Sequence, residues 1–169
     1  SEEKSILGRK PAAVLGRFVA EAQSSLVALS QSAHEHQLEA AIKILAKARD
    51  IYLLGLGGSF PVATHLAYVL RKFGRRVVLL DGTGGSIHEQ SHPATAEDAL
   101  VAISFRNYYP DTARLFPELV ARNVPAISIT DSLLSPIVEG ASVVFEIQDM
   151  PEPALRTLVA GVAKAAGLQ

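Results

Sequence analysis

The sequence predicts an α/β fold: a three-layer α-β-α sandwich around a five-stranded parallel sheet, preceded by two N-terminal helices. Short, continuous apolar runs at residues 51–54, 77–80, 99–104, 125–130 and 142–147 are the pattern of strands buried on both faces. Segments of helical period separate these runs, as right-handed crossovers between parallel strands require. Glycine-rich or polar turns follow the strands, and sheets of this kind bind ligands beyond their carboxyl ends. That rule singles out the loops after Leu54, Leu80, Ile103 and Ile129.

Residues 1–10 are polar and unpatterned, whereas Val14, Leu15, Phe18, Val19, Ala22, Leu26 and Leu29 recur at helical spacing and predict a helix over 11–32. A second helix, over 37–49, carries Leu38, Ala41, Ile42 and Leu45 on one face. Further helices are expected over 62–73, stopped by Gly74, and over 111–122. A short helix is expected within the glycine-rich loop after residue 80, and a turn with another short helix over 131–140. Residues 154–166 read as a last helix that packs on the core or on a partner subunit. Residues 1–36 are taken as an N-terminal linker and helix, and 37–169 as the domain proper.

With 169 residues, 49% of them hydrophobic, the chain is long enough for one sizeable core. Lys+Arg 16 against Asp+Glu 17 leaves a net charge of -1, so this segment lacks the basic surface that drives binding to nucleic acid or an anionic membrane. Zero cysteines exclude disulfides and thiolate chemistry and suit a reducing cytoplasm. No run is long and apolar enough for a membrane helix, and a soluble cytoplasmic protein is expected. The chain begins at Ser1 rather than Met, which suggests that a further domain precedes it.

The stretch Ile51-Tyr-Leu-Leu-Gly-Leu-Gly-Gly-Ser-Phe-Pro61 is a strand running into a glycine turn, a serine and a helix start. Glycines let backbone amides approach a ligand, and the helix adds its unpaired N–H groups and positive dipole end. Asp81, at the end of the next strand, stands where the ribose acid of a dinucleotide site would be. The third glycine of that fingerprint is absent, however. Gly57, Gly58 and Ser59 therefore favour a monophosphate or other small anion over a dinucleotide or a purely structural turn.

The second candidate, Ser104-Phe-Arg-Asn-Tyr-Tyr-Pro-Asp-Thr112, leaves the third strand for a helix. Ser104, Asn107 and Thr112 offer neutral donors, and Arg106 offers a planar fork for phosphate or carboxylate. The structural alternative is that Asp111 or Thr112 merely caps the helix. Tyr108 and Tyr109 either line the pocket or pack the loop. His88-Glu-Gln-Ser-His92 spells the zinc-protease motif, but Pro93 follows at once and no later histidine exists. The more plausible arrangement places this short helix over the pocket mouth, with Glu89 or a histidine beside it meeting sugar hydroxyls or, in an enzyme, moving protons. His34 and His36 are read as surface residues pointing to different sides, and Asp131 as a cap of the 131–140 helix with Pro136 in its first turn. No metal, cofactor or catalytic residue is assigned.

The order of the motifs, a glycine turn with serine after the first strand, Ile-Ser and a polar loop after the third, and Ile127-Ser-Ile-Thr-Asp-Ser-Leu-Leu-Ser-Pro-Ile137 after the fourth, resembles the sugar isomerase (SIS) domain over residues 38–148. Leu79-Leu-Asp-Gly-Thr-Gly-Gly-Ser86 and Ile103-Ser-Phe-Arg-Asn-Tyr-Tyr-Pro-Asp-Thr112 are similar to the effector domains of RpiR-type bacterial regulators. The resemblance implies a flavodoxin-like sheet, a dimer or tetramer, and a helix-turn-helix domain upstream through which alone DNA would be bound. It implies a sugar phosphate held by Ser59 and Ser104, with Thr112 closing the second loop. Where the commoner loop of the family reads S-x-S-G-E-T, Arg106 replaces the second serine and three extra residues precede Thr112, which also suits a carboxylated sugar. An aldose–ketose isomerase on the same fold, with Glu89 or His88 as base, is the alternative function.

Overall fold

A computed structural model describes residues 11–32 and 34–147. The chain divides into two compact units. Among the described residues the first is represented by α1 (Pro11–Ser32), a helix of 22 residues with an Arg17–Glu21 ion pair one turn apart at 2.6 Å. The expected helix over 154–166 lies outside the described residues.

The second unit opens with α2 (Glu35–Lys47) and continues β1 (Ile51–Leu54), α3 (Phe60–Lys72), β2 (Val77–Leu79), α4 (Ile87–Ser91), β3 (Ala99–Ser104), α5 (Pro110–Ala121), β4 (Ala126–Thr130) and β5 (Val143–Glu146). All strand pairs are parallel, in the order β2-β1-β3-β4-β5. β1 and β3 are buried along their whole length, while the edge strands β2 and β5 are only partly covered, so the apolar runs read most clearly where both faces are packed.

Alternation along the strands divides the core in two. Ile51, Leu53, Ala99, Val101 and Ile103 join Ala41, Ala63 and Ala67 of α2 and α3. Tyr52, Leu54, Leu100 and Ala102 join Ile87 of α4 and Leu115, Phe116 and Leu119 of α5. Small alanines on the first face let helix and sheet approach closely, whereas the second is filled by Phe116 and leucines.

The amino ends of the central strands are fastened by one buried carboxylate. The Asp98 side chain, 0% exposed, accepts from the Thr95 amide at 2.8 Å, the Asp50 amide at 3.2 Å, the Thr95 hydroxyl at 3.1 Å and Arg49 Nη2 at 2.9 Å. Burial alone would raise its pKa, but the bonds from Thr95 and Arg49 outweigh burial and hold it below the ordinary carboxylate value.

Two expectations are corrected. Residues 131–140 form successive turns rather than a helix, closed three residues apart by Ser135 N–H to Ser132 O and Val138 N–H to Ser135 O. The Ser128 hydroxyl donates to Ile137 O and holds this segment over the buried Ile137, so the i-to-i+4 ladder of a helix never starts. His34 and His36 do not point apart: their rings stack at 5.6 Å between centroids, on the surface.

Replacing Asp98 by Asn leaves buried amides facing a weaker, uncharged acceptor. It is expected to destabilise the domain by about 3 kcal/mol in denaturant titration. Because the native pKa is depressed, the stabilisation from Asp98 is complete above the unfolded carboxylate range and is lost as pH falls through the native value. The wild type–variant difference in midpoint should therefore shrink on going from pH 7 toward pH 3.

Candidate anion site at the β1–β3 switch point

Strand order reverses between β1 and β3: the chain leaves β1 toward β2 on one side and β3 toward β4 on the other. The helices that follow, α3 and α5, lie on opposite faces, so their amino ends flank a crevice above the two central strands. The glycine turn and the Ser104–Thr112 loop are the two walls of that crevice.

After β1, residues Gly57–Ser59 form one 3-10 turn and Ser59 becomes the N-cap of α3, with Pro61 in its first turn. Ser59 is buried, and its side chain makes no capping bond. Gly55 lets strand and helix come close: a Cβ there would meet the Ala63 Cβ at 3.0 Å and the Ser59 carbonyl at 3.2 Å. Gly57 has φ +57°, and a Cβ on it would meet Tyr109 Cδ2 at 2.8 Å. The two walls are therefore in contact, with the Tyr109 ring lying on Gly57. Gly58 faces open space.

In the second wall, Ser104 is buried at the end of β3 and its carbonyl accepts from the Thr130 hydroxyl at 2.7 Å. Asn107 takes the left-handed conformation with φ 64°, which turns the loop back toward α5. The capping alternative for Asp111 and Thr112 is not what forms: α5 starts at Pro110 with Tyr109 as N-cap, and Asp111 pairs with Arg114. Thr112 is 0% exposed, and its hydroxyl finds no protein partner. The Arg106 side chain is 77% exposed, with its Nε 3.8 Å from Asp131.

Asp131, at the end of β4, is the residue that local reading misassigned. Its side chain, 2% exposed, caps no helix; it accepts from the Arg106 amide at 3.2 Å and the Tyr108 hydroxyl at 3.0 Å. Burial and the bond to this carboxylate raise the Tyr108 pKa. Both partners lie more than 20 residues upstream in sequence; the only sequence signal was the position of Asp131 just past a strand's carboxyl end.

The Asp81 carboxylate is turned onto its own loop, where Oδ1 accepts from the Thr83 amide at 2.9 Å and Gln90 Nε2 at 2.8 Å, bonds that lower its pKa. A ribose would have to displace both donors. In the H-E-x-x-H segment, α4 ends at Ser91 and His88 Nδ1 lies 3.4 Å from Glu118 of α5, both side chains exposed. Among the described residues no group of three potential ligands is placed to hold a metal. Glu89 is exposed on α4.

The SIS domain model matches residues 44–166. The chain belongs to the SIS domain family. A curated HTH-type transcriptional regulator of Haemophilus influenzae, described as uncharacterized, is 31% identical over 110 residues, which are 64% of this chain and 37% of that protein. This SIS domain therefore spans little more than a third of that relative's length. Among solved structures, the sugar isomerase domain of an RpiR transcription factor from Sphaerobacter thermophilus superposes with TM-score 0.72 at 21% identity, covering 94% of this chain and 98% of that one. Vibrio vulnificus NanR complexed with ManNAc-6P gives TM-score 0.74 at 18% identity, covering 89% and 61%. A Methanococcus jannaschii protein whose structure inferred a 3-hexulose-6-phosphate isomerase function gives 0.64 at 18%, covering 89% and 92%. At these identities the structural matches establish the fold. Among the described residues, no helix is long and apolar enough to cross a membrane.

The two adjacent glycines of the first wall should respond differently to a methyl group. Gly57→Ala strains a positive φ and meets the Tyr109 ring, with an expected loss of about 1–2 kcal/mol in chemical denaturation. Gly58→Ala points into open space and should stay within about 0.5 kcal/mol of wild type.

Proposed function

We propose that this SIS domain is a sensor that binds a phosphorylated sugar, or a related acidic sugar derivative, between the Ser59 and Ser104 loops. The observation that carries this reading is the Thr112 hydroxyl, fully buried in the first turn of α5 without a protein partner. An unsatisfied buried hydroxyl costs about 1–3 kcal/mol, and an anion oxygen that accepts from it removes that cost. The same anion meets the unpaired amides and positive dipole end of the helix. Ser59 and Ser104 supply further hydroxyls, Gly57 and Gly58 supply amides, Asn107 supplies a side-chain amide, and Arg106 supplies a guanidinium at the rim. Glu89 is assigned to sugar hydroxyls. The complex of NanR with ManNAc-6P supports the same ligand class on this fold.

In this reading residues 1–36 are a linker and helix between residues 37–169 and a DNA-binding helix-turn-helix domain, and the protein acts in the cytoplasm as a homodimer or homotetramer. The effector binds the alternative subunit arrangements unequally and so shifts the population competent for the operator. The Haemophilus influenzae relative, named as an HTH-type regulator, supports this arrangement.

An aldose–ketose isomerase is the second reading, favoured by the likeness to the Methanococcus jannaschii protein. Against it, His88 lies beside Glu118 on an exposed surface rather than within the crevice walls. Turnover of a sugar phosphate that disappears in Glu89→Gln would establish the enzyme.

The sensor is tested by thermal shift with a panel of sugar phosphates and sugar acids. A ligand at a hundred times its Kd is expected to add about 2.7 kcal/mol to the folded state. Thr112→Val should leave unliganded stability unchanged or slightly higher while weakening that ligand about tenfold by calorimetry. Equal affinity in Thr112→Val, or no response to any member of the panel, would remove the basis of the reading.

A further inference from the structure

We propose that Asp131 is the positioning residue of the anion site: it sets the shape of the second wall and, through Tyr109, holds the glycine turn of the first. This rests on the reading of the β1–β3 crevice as an anion site.

Asp131 has the features of a fixed anchor. Its carboxylate is 2% exposed, at the end of β4. One oxygen accepts from the Arg106 amide at 3.2 Å and the other from the Tyr108 hydroxyl at 3.0 Å, while Thr130, next to it, ties back to the Ser104 carbonyl at 2.7 Å. These bonds flank Asn107, whose φ of 64° makes the reversal in the loop. With both sides of the reversal held, the direction in which Tyr109 leaves is fixed. The Tyr109 ring then lies on Gly57, at 2.8 Å from where a Cβ would stand. The line from Asp131 to the glycine turn is thus continuous: carboxylate, loop, ring, glycine.

The anchoring also decides what the loop offers a ligand. The Arg106 amide is consumed by Asp131, so the guanidinium, 77% exposed and only 3.8 Å from the carboxylate at its nearest, is the part of Arg106 left for an anion. Both oxygens of Asp131 are taken up by the Arg106 amide and the Tyr108 hydroxyl, and a carboxylate repels an anion, so Asp131 acts through the loop.

Two readouts in the whole chain separate this from a general loss of stability. The first needs no ligand: the aromatic ring against Gly57 displaces the Gly57 α-proton resonances from the positions they take without it. Asp131→Ala is expected to abolish that shift, as Tyr109→Ala does directly, while Asp98→Asn, which removes a buried carboxylate from the opposite end of the sheet, leaves it in place. The second is the affinity for inorganic phosphate followed by amide shifts, which Asp131→Ala should weaken about tenfold and Asp98→Asn should not change. Tyr108→Phe removes one of the two ties with the carboxylate kept, and should move both readouts in the same direction by a smaller amount; it decides the matter should Asp131→Ala fail to fold. A wild-type Gly57 shift in Asp131→Ala, or in Tyr108→Phe where only that variant folds, overturns the positioning role. Changes of equal size in Asp98→Asn overturn it too. A shift that depends on Asp131 in a wild-type protein that binds no phosphate upholds the coupling of the two walls and overturns the anion-site reading on which their function rests.

Discussion

The constraint on which the domain depends is the reversal of strand order between β1 and β3. Parallel strands joined by right-handed crossovers force α3 and α5 onto opposite faces of the sheet, and the loops that lead to them must part above the two central strands. The split lies between the two strands that are buried along their whole length, β1 and β3. Everything in the crevice follows from filling that split: glycines where the walls meet, hydroxyls at the strand ends, and helix amino ends directed toward the same space. A crevice is the ordinary consequence of such a topology, and the side chains that line it decide what it can hold.

Two buried carboxylates divide the labour at opposite ends of the sheet. Asp98 sits before β3 and is saturated by two amides, a hydroxyl and Arg49, the arrangement of a group whose work is to fix strand starts. Asp131 sits after β4 and holds a loop through an amide and a phenol, with Arg106 at longer range. The first network spans neighbouring segments and serves stability; the second reaches back across the sheet's carboxyl end to the wall of the crevice. Depth of burial is similar in the two, so their difference lies in what they hold.

The strands were legible because burial on both faces leaves an uninterrupted apolar run: β1 and β3 have the bounds their composition predicts, and the edge strands β2 and β5 come out shorter than their apolar runs suggest. Switch-point reasoning likewise located the two loops, since it needs only strand order and loop composition. What local reading missed depends on contacts between distant residues. Asp131, followed by serines and a proline, has the local grammar of a helix cap, and only the folded sheet brings it to Arg106 and Tyr108. The same holds for residues 131–140, where the Ser128 hydroxyl takes the Ile137 carbonyl and forces turns. Tyr109 on Gly57 joins loops more than fifty residues apart, and no spacing rule encodes that meeting.

In the proposed anion site, the placement of charge in the two walls bears on how an anion would be held. The buried polar residues of the two loops, Ser59, Ser104 and Thr112, are neutral donors, whereas the one cation of the two loops, Arg106, is largely exposed. An exposed cation contributes little in static affinity because water screens it, but it attracts an anion at longer range. Buried hydroxyls and helix amides act in the opposite way: they are short-ranged and strong once water is excluded. Burying Arg106 as well would strengthen its pull on Asp131 and tie the guanidinium to the protein's own carboxylate. Keeping it at the rim, at 3.8 Å from Asp131, preserves its capacity for an incoming anion while the buried carboxylate limits where it can go. In the proposed site such a wall would admit anions of more than one shape, because the guanidinium can follow either a phosphate or a carboxylate, and would leave discrimination to the buried hydroxyls.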